Sequence, residues 1–135
     1  MLFLLDTNAF SDLMQEQPAI STRLSNIGQT DKVAICPITR GEIRFGIELQ
    51  PQGKRRQALE YKAAKVFASV PCLAMPDTAG DNYGMLKRIC RQQGLALDEN
   101  DLWIAATALS LSAVLVTRDK DFANVNGLKV EDWTL

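Results

Sequence analysis

Short apolar runs alternate with longer amphipathic segments along this chain, and this alternation restricts the folds that it can adopt. Leu2–Leu5 has no polar residue, as expected for a central strand that is buried on both faces. Similar short runs follow at residues 33–36, 72–75 and 113–116, and Leu128 and Val130 alternate with Lys129 in a last short strand. Since helical segments separate most of these runs, the sequence predicts an α/β protein, folded as a three-layer α/β/α sandwich with a mostly parallel central sheet.

Helix signals fill the intervals between these runs. We predict helices over residues 8–14, 18–27, 39–49, 54–70, 77 or 78 to 93, and 101–111. Asn8 is a candidate N-cap, and Thr39 and Glu42 have the spacing of a capping box. Gly94 is a candidate helix stop, and Asp98 is an alternative N-cap for the last helix. Because no linker, repeat or low-complexity stretch interrupts the pattern, we expect one domain over residues 1–135.

The residue types that are missing exclude several kinds of chemistry. The chain of 135 residues has no histidine, so mechanisms that need an imidazole base and zinc sites with histidine ligands are excluded. The 15 basic and 16 acidic residues leave a net charge of −1, which argues against a polyanion binder that relies on bulk positive charge. An enzyme of this composition must therefore use carboxylates, lysines, hydroxyl groups or a metal ion.

The three cysteines, Cys36, Cys72 and Cys90, are widely spaced and form no CxxC motif. Neither a disulfide framework nor a thiolate metal site is indicated, and each cysteine is predicted to pack as a small buried residue. The apolar N-terminal run ends at Asp6, too early for a signal peptide or a membrane span. We therefore expect a soluble protein in the reducing cytoplasm.

Four acidic residues stand where an open parallel sheet binds its ligand, beyond the carboxyl ends of the strands. Asp6 directly follows the first strand, and Asp119 follows the strand at 113–116. Glu42 and Asp101 fall in the first turns of helices that face the same edge. The last three have structural alternatives: a capping box for Glu42, a helix dipole for Asp101 and a polar turn for Asp119. Asp6 is the hardest to explain structurally, because an acid at the end of a buried strand is costly to bury without a partner.

Basic and aromatic side chains outside this acidic set have structural explanations. The basic residues between Lys54 and Lys65 are predicted to form a solvated helix face, with an RNA-backbone surface as the alternative. Trp103 and Trp133 are expected to pack inside the protein or at an interface rather than to stack on bases. Tyr83 has the helical spacing of a core residue, with a place at the edge of the site as the alternative.

Five motifs follow one another along the chain. They are Leu4-Leu5-Asp6-Thr7-Asn8, Thr39-x-x-Glu42-Ile43-x-x-Gly46, Asp101-x-x-Ile104-Ala105-Ala106-Thr107-Ala108, Leu115-Val116-Thr117-Arg118-Asp119 with Phe122, and Gly127-Leu128-x-Val130-x-x-Trp133. In this order, and over essentially the whole chain, the sequence resembles PIN-domain ribonucleases, particularly the VapC-type toxins of bacterial and archaeal toxin–antitoxin pairs. The resemblance implies a PIN-like fold and an acidic quartet, which is Asp6, Glu42, Asp101 and Asp119. Asp98 is an extra acid nearby, and Asp121 is an alternative to Asp119.

Four carboxylates in one place favour a divalent cation. Two carboxylates about 5 Å apart repel each other by roughly 3 kcal/mol at an effective dielectric constant near 20. Oxygen ligands prefer Mg²⁺ or Mn²⁺ to softer metals. Such a metal activates water for phosphodiester hydrolysis without histidine or the ribose 2′-hydroxyl, so the products carry a 5′-phosphate and a 3′-hydroxyl. The hypothesis is therefore a Mg²⁺- or Mn²⁺-dependent endoribonuclease.

The acidic quartet is then both the catalytic and the metal-binding set. Asp6 and Asp101 are the main ligands, and the other two acids bind directly or through water. The residues that orient these ligands or contact phosphate are Thr7, Asn8, Thr117 and Arg118.

The resemblance also implies partners. They are an RNA substrate, a second copy of the chain in a homodimer, and a cognate VapB-like antitoxin that blocks the acidic site. The sequence does not determine the RNA, although exposed loops of tRNA or rRNA are reasonable substrates.

Two functions of other classes are alternatives. A Mg²⁺-dependent phosphatase also uses carboxylates at strand ends, but Asp6-Thr7-Asn8 lacks the second Asp that such a nucleophile site usually pairs with two residues later. Trapping of a phosphoaspartate would separate this case. A non-catalytic RNA-binding PIN-like module leaves the full acidic set unexplained, and failure to bind a divalent metal would favour it.

Overall fold

Four parallel strands form one sheet through the centre of the molecule. The structure, a computed structural model, describes residues 1–135. Its strands are β1 (Leu2–Leu5), β2 (Lys32–Ala34), β3 (Val114–Val116) and β4 (Val130–Glu131). They lie in the order β2-β1-β3-β4, and Leu4 pairs with Ala34 on one side and with Leu115 on the other. β1 and β3 are therefore central, and their carboxyl ends meet at one edge of the sheet.

Six α-helices cover the two faces of this sheet. They are α1 (Thr7–Met14), α2 (Pro18–Ser25), α3 (Pro37–Glu48), α4 (Lys54–Ser69), α5 (Asp77–Gln93) and α6 (Glu99–Ser110), and a short 3₁₀ helix spans Lys120–Asn124. Phe3 and Leu5 pack with α1 to α4 on one face, whereas Leu4 packs with α5 and α6 on the other. The predicted α/β/α sandwich with a parallel central sheet is confirmed.

The strands at the sides of the sheet are shorter than predicted. The second strand ends at Ala34, and Ile35 then forms a single parallel bridge with Cys72. The strand predicted at residues 72–75 does not form beyond this bridge, because the chain leaves the edge of the sheet and Pro76, which has no N–H to donate, leads it into α5. The last strand begins only at Val130.

The N-cap of α1 is Asp6 rather than Asn8. Oδ1 of Asp6 accepts a hydrogen bond from the backbone N–H of Ala9 at 2.8 Å. The prediction for Asn8 is wrong because the acid two residues earlier already occupies the cap, and Asn8 lies exposed in the first turn. The start of a helix therefore fixes the first acid of the candidate site.

The capping box predicted for Thr39 and Glu42 does not form. Pro37 takes the first position of α3, so this helix begins two residues before Thr39. Thr39 is buried, and its hydroxyl donates a hydrogen bond to the carbonyl oxygen of Leu5 at 3.4 Å. The Glu42 carboxylate is therefore not used as a cap.

The N-caps of α5 and α6 are each one of several candidate residues that lie close together in the sequence. α5 has Pro76 as its N-cap, so neither Asp77 nor Thr78 caps it as predicted. α6 has Asp98 as its N-cap, and the carboxylate of Asp98 accepts a hydrogen bond from the N–H of Asp101 at 2.8 Å. The alternative given for this helix is therefore the observed one.

All three cysteines are free thiols. Cys36 and Cys90 are buried as predicted, whereas Cys72 is exposed because it lies at the edge of the sheet. None of the helices combines the length and the apolar character that crossing a membrane requires.

Gly94 ends α5 in the left-handed region, at φ 67° and ψ 27°, and its N–H donates to the carbonyl oxygen of Cys90. We predict that Gly94→Ala lowers the free energy of unfolding by about 1 kcal/mol, since a Cβ strains this conformation. Gly84→Ala is the matched control inside the same helix, where a Cβ meets no atom within 4 Å, and it should stabilise by up to about 1 kcal/mol. Urea unfolding followed by circular dichroism measures both, and equal effects would contradict this role of Gly94.

Candidate active site

The carboxylate of Asp6 is bound on both of its oxygens. Only 3% of the residue is exposed. Oδ1 accepts from Ala9 as described, and Oδ2 accepts a hydrogen bond from the hydroxyl of Thr117. Burial raises the pKa of Asp6, and the two hydrogen bonds oppose that shift. The charge of Asp119 raises this pKa further and that of Arg118 lowers it, so both side chains lie near Asp6.

Glu42 approaches Asp6 from α3. Thr7, the residue after Asp6, donates its hydroxyl to Oε1 of Glu42 at 2.5 Å. Both side chains are partly buried, whereas Asn8 is exposed. Thr7 therefore holds the Glu42 carboxylate at the start of α1.

The turn after β3 holds Asp119 near Asp6. The hydroxyl of Thr117, which donates to Asp6, accepts the backbone N–H of Asp119 at 3.0 Å. Oδ1 of Asp119 accepts the N–H of Asp121 at 2.9 Å and so caps the 3₁₀ helix. Asp119 is partly buried and Asp121 is exposed. Of these two acids, Asp119 is the one that influences Asp6.

Asp101 is the acid that its surroundings affect most. It lies in the first turn of α6 and is partly buried. Burial raises its pKa to about 7, with further contributions from neighbouring charges. In decreasing order, these are the charges of Asp98, Asp119, Glu42 and Asp6. All the other acids predicted for the site therefore lie within electrostatic range of Asp101, at one edge of the sheet.

The donor set fits a hard divalent cation, although the side chains do not form a finished metal site. No three Asp, Glu or Cys side chains are grouped so that they could hold one ion. Each carboxylate oxygen can accept two hydrogen bonds or ligand contacts, so Asp6 keeps acceptor capacity beyond its present bonds. A group of mutually repelling carboxylates suits Mg²⁺ or Mn²⁺. Side chains would have to turn towards one another to bind such an ion.

Asp12 on α1 lies outside the predicted set but contacts it. Its Oδ2 accepts a hydrogen bond from Nε of Arg118 at 3.1 Å. This acid is not among the site residues that the sequence predicts. The signal that could have found it is the spacing of four residues from Asn8, which places both on one face of α1.

The basic residues of α4 do not join the acidic site. Four of the five are exposed, namely Lys54, Arg55, Lys62 and Lys65. Arg56 differs, because its side chain is only 13% exposed and forms ion pairs with Glu48 and Glu60. The predicted solvated face therefore consists of the other four residues.

The tryptophans pack within the protein. Trp133 is buried against Phe3, with 5.2 Å between the ring centroids. Trp103 stacks on Tyr83 at 4.0 Å, and the hydroxyl of Tyr83 donates to Glu99. Tyr83 therefore links α5 to the first turn of α6, and it is partly buried against the core rather than inside it.

The fold and the site together define a class: a parallel α/β/α sandwich with acidic side chains gathered at the carboxyl ends of its central strands. The sequence model of the PIN domain matches residues 3–128. The chain belongs to the PIN-domain family, as its five motifs predicted.

Within that family the chain is similar to VapC proteins. Ribonuclease VapC1 of Haemophilus influenzae (strain R2866) is 34% identical over 99% of both chains, and Ribonuclease VapC2 of Rickettsia felis is 26% identical over 98% of both. A chain of VapBC-1 from nontypeable Haemophilus influenzae has a TM-score of 0.88 and 31% identity, with 100% of both chains covered. A chain of VapBC2 from Rickettsia felis, bound to a DNA fragment from their promoter, has a TM-score of 0.89 and 25% identity over 98% of this chain and 99% of that one. The resemblance to VapC-type proteins is confirmed.

The raised pKa of Asp101 makes the stability of the metal-free protein depend on pH. This carboxyl ionises near 3.8 in the unfolded chain and near 7 in the folded one, so the folded state holds the additional proton between these values. We predict that the free energy of unfolding in EDTA falls as the pH rises from about 4 to about 7. Asp101→Asn should flatten this decline and be more stable than the wild type at higher pH.

Thermal unfolding in EDTA over a series of pH values measures the effect. Asp81→Asn, an exposed acid on α5, is the control and should keep the wild-type profile. A decline in Asp101→Asn that is as steep as in the wild type would show that another group is responsible.

Proposed function

We propose that this chain is a Mg²⁺- or Mn²⁺-dependent endoribonuclease that acts as the toxin of a toxin–antitoxin pair. The observation that carries the proposal is the group of four acids from β1, α3, α6 and the turn after β3. Burial raises the pKa of Asp101, one of the four, to about 7, and the charges of the other three acids also raise it. The ribonuclease names of the VapC relatives support the same reaction.

The acidic quartet would hold the metal, with Asp6 and Asp101 as the main ligands and Glu42 and Asp119 binding directly or through water. A bound Mg²⁺ or Mn²⁺ supplies charge neutralisation and an activated water for in-line displacement at phosphorus. The chain contributes the fixed positions of the ligands. Asp6 is held by hydrogen bonds on both oxygens, and the hydroxyl of Thr7 orients Glu42.

The remaining predicted residues act around this set. The hydroxyl of Thr117 serves Asp6 and Asp119 at once, so it fixes their separation. Arg118 offers a planar group that suits a phosphate, and Asn8 lies exposed in the first turn of α1 where phosphate oxygens could approach its amide. Because neither an imidazole nor the ribose 2′-hydroxyl takes part, cleavage should leave a 5′-phosphate and a 3′-hydroxyl.

The proposal includes partners and a location. The two solved structures described above are of VapBC, and the one from Rickettsia felis is bound to a DNA fragment from the promoter. We propose that a cognate VapB-like antitoxin binds and neutralises this chain, that the chain forms a homodimer, and that residues 1–135 act as one nuclease domain in the cytoplasm. Single-stranded loops of tRNA or rRNA are suitable substrates, because their unstacked bases and backbone are accessible.

Cleavage should require the metal and the quartet. We predict that the purified protein cleaves structured RNA with Mg²⁺ or Mn²⁺ and not with EDTA. Asp6→Ala and Asp101→Asn should each lower kcat/KM by more than about 100-fold, since even residues behind metal ligands typically contribute 10- to 100-fold. Asp81→Asn should retain the wild-type rate.

The same assay separates this mechanism from attack by the ribose hydroxyl. A substrate with a 2′-deoxy nucleotide at the cleaved position should still be cut, with a 5′-phosphate on the downstream product. Cleavage that survives EDTA, or 2′,3′-cyclic phosphate ends, would refute the proposal.

A toxin should stop growth through the same acids. We predict that expression of this chain arrests bacterial growth, that Asp101→Asn does not, and that the product of a small open reading frame beside its gene relieves the arrest. Growth curves with and without the neighbouring product measure this. If Asp101→Asn arrests growth at an equal protein level, toxicity does not depend on the acidic site.

A further inference from the structure

An ion pair between Asp12 and Arg118 joins α1 to the turn after β3. Nε of Arg118 donates to Oδ2 of Asp12 at 3.1 Å, and this is the one hydrogen bond that the guanidinium makes. The Asp12 side chain is 18% exposed and that of Arg118 is 50% exposed. The guanidinium is therefore held at Nε, and its other edge is open in that it makes no hydrogen bond to the protein.

The open edge of Arg118 carries Nη1 and Nη2 with their four N–H groups. A guanidinium fixed at one end presents these groups as a planar fork that matches two oxygens of a phosphate. The residues on either side of Arg118 are Thr117 and Asp119: the hydroxyl of Thr117 donates to Asp6 and accepts the backbone N–H of Asp119. A phosphate on the fork would therefore lie beside the acidic quartet.

Asp12 also decides which carboxylate Arg118 binds. The charge of Arg118 already lowers the pKa of Asp6, so this acid is within electrostatic range of the guanidinium. Without Asp12, pairing with an acid of the site would withdraw the fork from the substrate. A carboxylate on α1, outside the quartet, prevents this collapse.

We infer that Asp12 is a positioning residue that holds the guanidinium of Arg118 as a phosphate-binding fork at the edge of the acidic site. The inference rests on the proposed function, because the ligand it names is a phosphate of the RNA backbone. It adds to that function a residue that touches neither metal nor RNA.

A double-mutant cycle tests this coupling. Asp12→Ala, Arg118→Ala and the double variant are made in the Asp101→Asn background, and binding of a fluorescein-labelled RNA hairpin in Mg²⁺ is followed by fluorescence anisotropy. Each single change should weaken binding by about 5- to 10-fold, and the double variant should bind no more weakly than Arg118→Ala. Both changes should reduce the salt dependence of log Kd by about the value of one phosphate contact.

Two controls separate positioning from folding. Asp31→Ala removes another ion pair of 3.1 Å, with the N-terminal amine, and should leave RNA binding unchanged. Alanine has a higher helix propensity than aspartate, so Asp12→Ala should not weaken α1, which thermal unfolding checks. In the background that keeps Asp101, where RNA can be cleaved, Asp12→Ala should raise KM more than it lowers kcat. A loss of stability alone would not produce this difference.

The possible outcomes distinguish this inference from the proposed function. The inference would be overturned by fold-losses of RNA affinity that multiply in the double variant, by no effect of Asp12→Ala, or by an equal effect of Asp31→Ala. If the wild type cleaves RNA in any of these cases, the proposed nuclease function is still supported. If the two substitutions have non-additive effects on RNA affinity but the wild type does not cleave RNA, the inference stands and the proposed nuclease activity is refuted. Failure of the Asp101→Asn protein to bind the hairpin would contradict the inference, while cleavage by the wild type would still decide the proposed function.

Discussion

The buried carboxylate of Asp6 connects the elements on which the site depends. One oxygen caps α1, the other accepts the hydroxyl of Thr117, and the backbone N–H of Asp6 donates to the carbonyl oxygen of Val116 at 3.1 Å. Because β1 and β3 are neighbours in the sheet, these bonds fix a helix start and a turn around a single side chain. The same bonds favour the ionised carboxylate, whereas burial disfavours it. The fold therefore keeps an acid in a place where an unpartnered acid would be costly.

This arrangement stabilises one acid, but the accumulation of acids around it does not stabilise the fold. Asp101 has a pKa near 7 because it is partly buried and because four other carboxylates act on it. Asp98 has a structural reason to be there, as the cap of α6, whereas Glu42 caps no helix, since α3 begins at Pro37, and its carboxylate accepts the hydroxyl of Thr7 instead. Strongly shifted pKa values are common at functional sites, where charged groups are placed together for their chemistry rather than for stability. A bound cation would reverse the sign of the interaction and turn mutual repulsion into shared attraction.

The sequence was sufficient for the layers of the fold and for the position of the acids relative to the strands, because both follow from periodicity and chain order. The capping predictions for Asn8 and for Thr39 with Glu42 were wrong because such patterns are local, whereas contacts with distant residues decide where those side chains point. The spacing of Asp12 from Asn8 indicates only a shared face of α1, because its partner Arg118 is 106 positions further along the chain. Metal binding by the quartet does not follow from the periodicity of the sequence either, because it depends on where the side chains lie and not only on which residues are present.

The net charge of −1 does not by itself show whether the chain can bind RNA, because binding depends on where the charges lie. Under the proposed function, RNA must approach a site whose own residues repel phosphate, so the acidic charge has to be neutralised before the backbone can bind. Accessible positive charge beside the site is on Arg118 and on the exposed Lys120, and α4 adds an exposed basic face in which Arg56 is already neutralised by its two glutamates. Attraction by the α4 face weakens over a Debye length of about 8 Å at physiological ionic strength, whereas Arg118 acts at contact distance. A nearly neutral protein can therefore bind a polyanion at one place, provided that its few accessible cations are held where the phosphate must lie.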